Sequence, residues 1–184
     1  MPTWLWVVIV AAALVVLAGI VMASTRTRRT RALQERFGPE YDRVAADAPS
    51  RREAEQELRD REKRREEFDI KPLDEADRDR YRARWQDVQA QFVDDPGGAV
   101  GEADALIQEV MRVRGYPVDD FDTRAADLSV DHPDVVEKYR AAHGIAVAHE
   151  RGKAGTEELR HAVQHYRALF EALVETGRRQ EVAS

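Results

Sequence analysis

The amino-acid sequence predicts an all-α protein with a single N-terminal transmembrane helix, a charged linker helix and a compact bundle of about four helices. Three observations lead to this fold class. Residues Trp4–Ala23 carry no charge, apolar residues recur with helical spacing through most of the remaining chain, and no stretch alternates apolar and polar residues like a half-buried strand. We therefore expect an anchor at residues 1–24, a basic juxtamembrane segment and charged linker at 25–72, the bundle at 73–177 and a flexible tail at 178–184.

The apolar run has the length of a membrane-spanning helix. An α-helix rises about 1.5 Å per residue, so Trp4–Ala23 would cover about 30 Å, the thickness of the hydrocarbon core. A cleaved signal peptide has a shorter apolar core, of about 7–15 residues, after a basic start. The small residues near Val21-Met22-Ala23 could still form a cleavage site. A retained anchor is the favoured prediction, and a secreted or envelope protein is the alternative.

Arginines follow the apolar run at once, and they predict its orientation. Positive charge next to a membrane segment stays in the cytoplasm. We therefore expect a single-pass protein of the inner cell membrane, with the end before Trp4 outside and residues 25–184 in the cytoplasm. The same arginines are candidates for contact with lipid head groups, although setting the topology is sufficient to explain them. They are Arg26, Arg28, Arg29 and Arg31.

Residues 51–68 predict a helix with almost no apolar face. Ser50 and Glu53 have the spacing of a capping box. Opposite charges recur four residues apart, and each such pair contributes about 0.2–0.5 kcal/mol. A helix that is polar all round is typical of a solvated spacer, here about 25 Å long at 1.5 Å per residue; a weak coiled coil is the alternative. The pairs are Arg51–Glu55, Glu55–Arg59, Glu57–Arg61 and Asp60–Arg64.

Helix boundaries in the other regions are marked by capping residues, glycine and proline. Gly38-Pro39 predicts a break within residues 31–48. Further along the chain we expect N-caps at Asp74, Asp95, Asp119 or Asp120, and Asp131, a left-handed C-cap at Gly115, a last helix that opens at Thr156, and its end at Gly177.

One apolar stripe of the bundle is rich in aromatic residues. Its members fall within about 40° of one another on a helical wheel, which favours packing against neighbouring helices. Any part of the stripe that stays exposed would be a candidate surface for a protein partner, as would any exposed part of the apolar stripe at residues 159–174. The aromatic stripe consists of Tyr81, Trp85, Val88 and Phe92.

Composition excludes several chemistries. The chain has no cysteine, which removes disulfides and thiolate sites. Its net charge is -6, and from Pro72 onward it has 15 Lys and Arg against 23 Asp and Glu. Such an acidic domain argues against nucleic-acid binding, which needs a basic face. No phosphate loop, calcium loop or nucleophile elbow is present, so we predict no cofactor and no catalytic residue.

The histidines are the remaining candidates for chemistry. His161 and His165 have a spacing that can bind a metal ion, but they lie opposite the apolar stripe, and a zinc site needs about three or four protein ligands. We therefore predict no metal. An enzyme would require His132, His143 or His149 to converge with carboxylates in a pocket, and this reading is kept as an alternative.

Two stretches carry a resemblance: residues 91–118, which read QFVDDPGGAVGEADALIQEVMRVRGYPV, and the residues from Arg124 that read RAADLSVDHPDVVEKYRAAHGIAVAHERG. Both resemble a group of bacterial proteins of actinobacterial type that are described as hypothetical membrane or secreted proteins of unknown function. The resemblance covers residues 30–175 and implies that an anchored helical domain recurs as a unit. It implies no activity, cofactor or catalytic residue.

These observations together favour a non-enzymatic interaction or scaffold module at the inner face of the membrane. The expected partners are membrane lipid and a protein whose identity the sequence does not specify. Weak homo-oligomerisation is left open, and nucleic acid is not expected.

Overall fold

The computed structural model describes residue 17 and residues 27–182, with side chains described as far as residue 175. Leu17 is helical and exposed. The rest of the predicted anchor at residues 1–24, together with Arg26, lies outside the described residues. Within the described part, no helix is both long enough and apolar enough to cross a bilayer.

The described chain is helical and contains no strand, so the all-α prediction is confirmed. Five helices occupy the region where about four were expected, and the two within residues 121–150, separated at His132, correspond to the two helix starts predicted there. In chain order the helical segments are α1 (residues 27–37), α2 (Pro39–Asp47), α3 (Arg51–Glu66), α4 (Glu75–Asp94), α5 (Pro96–Arg114), α6 (Phe121–Asp131), α7 (Pro133–Glu150) and α8 (Thr156–Val182).

Most helix ends lie at the predicted capping residues. Each cap side chain accepts a hydrogen bond from a backbone N–H of the first turn, which would otherwise have no partner. Gly38 has a φ of 48° and separates α1 from α2. The capping bonds are Ser50 to the N–H of Glu53 at 3.3 Å, Asp74 to Asp77 at 2.7 Å, Asp95 to Gly98 at 2.9 Å and Asp120 to Thr123 at 3.1 Å.

Two predicted boundaries are wrong. Asp131 does not cap α7, because its carboxylate accepts hydrogen bonds from Arg65 and from the hydroxyl of Tyr116; His132 precedes α7 and makes no side-chain capping bond. The last helix does not end at Gly177 but continues to Val182. A glycine inside a helix costs only about 1 kcal/mol relative to alanine, so it does not end a helix by itself.

The main core lies where α8 packs against α5 and α7, and α4 packs against α5 and also reaches α8. The ring of Trp85 on α4 stacks on Phe170 of α8 with a centroid distance of 4.7 Å. The largest fully buried side chains of this core are Tyr81, Leu106, Ile107, Met111, Leu128, Tyr139, Tyr166, Leu169 and Leu173.

A second, smaller core joins α1, α2 and α3 to α6. The apolar residues of these three helices are buried together, and Val130 of α6 completes the cluster. The prediction that α3 is a solvated spacer is therefore wrong, because its apolar face, although small, is covered. The cluster contains Leu33, Phe37, Tyr41, Val44, Ala54, Leu58 and Val130.

The predicted ion pairs within α3 form in three cases out of four. Arg51 and Arg59 both lie near the carboxylate of Glu55, at 3.5 and 3.8 Å, and Arg61 pairs with Glu57. Arg64 instead turns to two carboxylates in and before α6, and Asp60 lies near Lys63. This difference follows from the packing of α3 on α6.

Gly115 allows α5 to end against the segment that follows α3, and its replacement tests this junction. Gly115 has a φ of 93°, and a Cβ there would lie 2.4 Å from the carbonyl oxygen of Asp69. Because the left-handed region alone costs other residues about 1–2 kcal/mol, we expect Gly115→Ala to lower the free energy of unfolding by more than about 2 kcal/mol. Urea unfolding followed by circular dichroism measures this. Gly101→Ala, in open space within α5, should instead gain about 0.5–1 kcal/mol; equal effects of the two variants would contradict the account.

Candidate functional site

The arginines singled out in the sequence lie at the start of the described chain. Arg28, Arg29 and Arg31 are on α1, and all three are exposed. No carboxylate of the described residues lies within ion-pair distance of them. Their positive charges therefore face solvent at the end of the domain nearest the predicted anchor.

Helices α1 and α3 run parallel, and this brings Arg51 and Arg52, at the start of α3, to that same end. The hydroxyl of Thr30 donates to Glu55 at 2.8 Å, and one helical turn or two further on Arg36 pairs with Glu62 at 3.3 Å. Residue numbers thus increase in the same direction on both helices. The first turn of α3 consequently lies beside the start of α1.

A buried carboxylate holds this unit against the bundle. The side chain of Glu40, at the start of α2, is 1% exposed. It accepts hydrogen bonds from Arg43 at 2.9 and 3.1 Å, from Arg61 of α3 at 2.6 Å, and from Arg140 of α7 at 2.6 and 2.9 Å. Three guanidinium groups from three helices therefore converge on one carboxylate.

The arginines determine the charge state of Glu40. Burial by itself would raise the pKa of this carboxyl, but hydrogen bonds from Arg43, Arg140 and Arg61 favour the ionised form more strongly and lower its pKa from 4.5 to about 2. Glu40 is therefore ionised at any physiological pH, and the cluster stays paired.

A second row of ion pairs continues the same contact toward the end of α3. Arg64 donates to Asp127 at 2.9 Å and to Asp119 at 2.8 Å. Arg65 pairs with Asp131, which also accepts from Tyr116. Asp127 is buried, and desolvation raises its pKa although Arg64 opposes this. We call these ion pairs, of Arg61 and Arg140 with Glu40 and of Arg64 and Arg65 with the carboxylates in and before α6, the ionic seam.

Sequence reasoning missed the ionic seam. Glu40 and Arg140 are one hundred residues apart in the chain, and no local pattern connects them. A weaker signal was present on α3, because Ala54, Leu58, Arg61 and Arg65 follow one another at spacings of four, three and four. Such a stripe lies on one face of a helix, so the arginines continue the buried side of α3.

The predicted aromatic stripe is part of the core. Tyr81, Trp85 and Val88 are buried, and Phe92 is partly buried against the same cluster. The packing interpretation of the stripe is confirmed. As a partner-facing surface it is not available, because three of its four side chains are covered by the bundle's own helices.

The histidines have separate surroundings. His132 is buried, and desolvation lowers its pKa to about 4. The ring of His143 stacks on Phe121 at 3.6 Å, His149 is exposed near the end of α7, and His161 is exposed on α8. In the part of the chain that the structure describes, no group of three or more His, Asp or Glu side chains is arranged to hold a metal ion.

Comparison with known proteins adds no family. No protein-family model, curated protein or solved structure matches the chain. The resemblance to actinobacterial hypothetical proteins stays a prediction from the residues quoted above.

Removing the carboxylate of Glu40 tests the ionic seam. Glu40→Gln would leave three partly buried arginines without their shared anion, and breaking a buried pair costs about 3–5 kcal/mol. We expect a loss of this size in urea unfolding of the full chain at pH 7. Glu157→Gln is the matched control, because Glu157 pairs with Arg160 in exposed surroundings and such pairs contribute about 0–1 kcal/mol. An equal loss from both variants would refute the importance of the seam.

Acid should weaken the same contact. The folded-state pKa of Glu40 is lower than its ordinary value, so its stabilisation is fully present above about pH 4.5 and is lost as the pH falls through the folded value of about 2. The difference corresponds to about 3 kcal/mol. Urea midpoints measured between pH 6 and 2 should fall less steeply in Glu40→Gln than in the unaltered chain. Parallel curves for the two proteins would show that Glu40 does not titrate as described.

The assignment of the aromatic stripe to the core has its own test. Trp85→Ala removes a buried ring that stacks on Phe170, and large-to-small changes of this kind cost about 3–5 kcal/mol. Val93→Ser, at the 81% exposed Val93 of the same helix, should change the free energy of unfolding by no more than about 0.5 kcal/mol. A Trp85→Ala variant with the control's stability would place Trp85 outside the core.

Proposed function

We propose that this protein is a single-pass membrane protein whose helical domain is a non-enzymatic interaction or scaffold module at the inner face of the membrane. The proposal has the end before Trp4 outside and residues 25–184 in the cytoplasm. It follows from the uncharged run at Trp4–Ala23 and from the arginines after it.

The observation that best supports this proposal is the attachment of α1 to the rest of the domain. The described helical residues 27–37 follow Ala23 closely in the chain and are packed on α3, which the ionic seam holds against α2 and α6. A domain on a flexible linker would sample many positions. Here the bundle would instead keep a defined position relative to the point where the chain leaves the bilayer, as a scaffold requires.

The surface of the domain favours a polar partner. Leu17 lies in the predicted anchor, and among the other described residues the large apolar side chains that are exposed are Val93 and Val113; single residues of this kind need no special explanation. The excess of acidic residues from Pro72 onward is then the main feature by which a partner protein would recognise the domain. A protein with a basic surface is the partner class that fits it by charge.

Protease protection of the full chain with a C-terminal tag tests the proposed topology. The tag should be digested in inverted vesicles and protected in right-side-out vesicles or cells, and alkaline carbonate should leave the protein in the membrane fraction. Replacing Arg26, Arg28, Arg29 and Arg31 by Gln should increase the fraction of tags that face outward, because these residues hold the flanking charge inside.

Two results would contradict the proposal. One is digestion of the tag from the outside of intact cells by the unaltered protein. The other is a mature chain that begins at Ser24 and is recovered in the medium, which would support the secreted alternative.

A further inference from the structure

A groove lies between the start of α1 and the first turn of α3. It has a volume of about 400 Å³, and its lining includes Thr30, Arg31, Gln34, Arg51 and Arg52. Three guanidinium groups, a hydroxyl and an amide thus face one space. These groups come from two segments about twenty residues apart in the chain, and the parallel pairing of α1 with α3 brings them together.

The positive charge of the groove is not neutralised by the protein. Arg31 and Arg52 are exposed, and no described carboxylate lies within ion-pair distance of either. The carboxylate that lines the groove belongs to Glu55, which is mostly buried and already accepts from Thr30 and Tyr41 while lying near Arg51 and Arg59. A net positive charge is therefore left for a ligand.

The position of two of these arginines opposes the stability of α3. Arg51 and Arg52 occupy the first two positions of this helix, where the partial positive charge of the helix dipole disfavours cations. An anion bound at the groove would remove this repulsion. Arg28 and Arg29 on α1 add two further exposed positive charges close to the same end.

We propose that this groove binds the phosphate of an anionic phospholipid head group. The inference rests on the proposed function, because it requires a bilayer at the start of α1. Thr27 follows Ala23 by four residues, which span at most about 14 Å even when fully extended. The start of α1 would therefore lie within reach of the head-group layer, which is about 5–8 Å thick on each side of the hydrocarbon core.

The chemistry of the groove fits a lipid phosphate. A guanidinium group matches two phosphate oxygens at once, and the amide of Gln34 offers a further donor. With Arg28 and Arg29, five arginines of the described chain lie at this end, within the range of four to eight basic residues typical of sites for anionic lipid. The acidic charge of residues 72–184 would repel a nucleic-acid backbone from the rest of the domain.

The test uses the full chain reconstituted in nanodiscs of mixed phosphatidylcholine and phosphatidylglycerol. The chain has no cysteine, so Ala32→Cys on the exposed side of α1 can carry a single fluorescent donor. Energy transfer to acceptor-labelled phosphatidylglycerol, compared with acceptor-labelled phosphatidylcholine, reports which lipid is enriched beside α1. We expect a clear preference for phosphatidylglycerol.

Arg31→Gln with Arg52→Gln is the decisive variant, because neither side chain has an ion pair that holds the fold. Each arginine near an anionic surface contributes about a fivefold preference, so the double variant should lose most of the enrichment. Lys63→Gln with Arg112→Gln removes the same charge from exposed positions farther along α3 and at the end of α5. This control should keep the preference within about twofold. If both double variants lost the preference for phosphatidylglycerol equally, the preference would depend on net charge alone, and the lipid site would be overturned.

Other outcomes separate the site from the function on which it rests. Insertion into the nanodiscs with no preference for phosphatidylglycerol would overturn the lipid site and leave the proposed function intact. If millimolar inorganic phosphate abolished the preference, the groove would be assigned to a soluble phosphate, and the proposed binding of a lipid phosphate would be overturned. A chain that does not insert at all would refute the proposed function and this inference with it.

Discussion

The structure depends on the burial of one carboxylate. Glu40 is almost without solvent, and an ionised carboxyl in that position is unfavourable unless cations and hydrogen bonds replace its water. Arg43, Arg61 and Arg140 supply both. Because these arginines belong to α2, α3 and α7, the charge can be buried only when the three helices are in their observed positions.

An ionic contact specifies position in a way that a small apolar contact does not. Only Ala54, Glu55 and Leu58 of α3 are buried, and so small an apolar face could slide along α6 with little cost. The pairs of Arg61, Arg64 and Arg65 with Glu40, Asp127 and Asp131 each require one register. The seam therefore contributes alignment, although ion pairs of this kind need not add more stability than apolar residues would.

Local signals were sufficient to predict most of the helices. Caps at Ser50, Asp74, Asp95 and Asp120 act through bonds to residues three positions away, so they can be recognised without knowledge of the fold. The failures share a physical cause. Asp131 and Arg64 have side chains that satisfy local rules, but each finds a stronger partner on another helix. The position of α3 could not be predicted for the same reason, since its partners on α6 lie 63 to 68 residues away.

The two ends of α3 show how one residue type serves two purposes. At its far end Arg61, Arg64 and Arg65 are paired with carboxylates of the bundle, and at its near end Arg52 is left exposed. Arg52 lies 9 to 13 residues before these arginines, so about 14–20 Å along the helix axis separates the two groups. Arg52 has no ion-pair partner among the described residues, whereas each arginine at the bundle end has one. In the proposed lipid site, this asymmetry would let α3 connect the bundle at one end to an anionic surface at the other, and the seam would fix the direction of that connection.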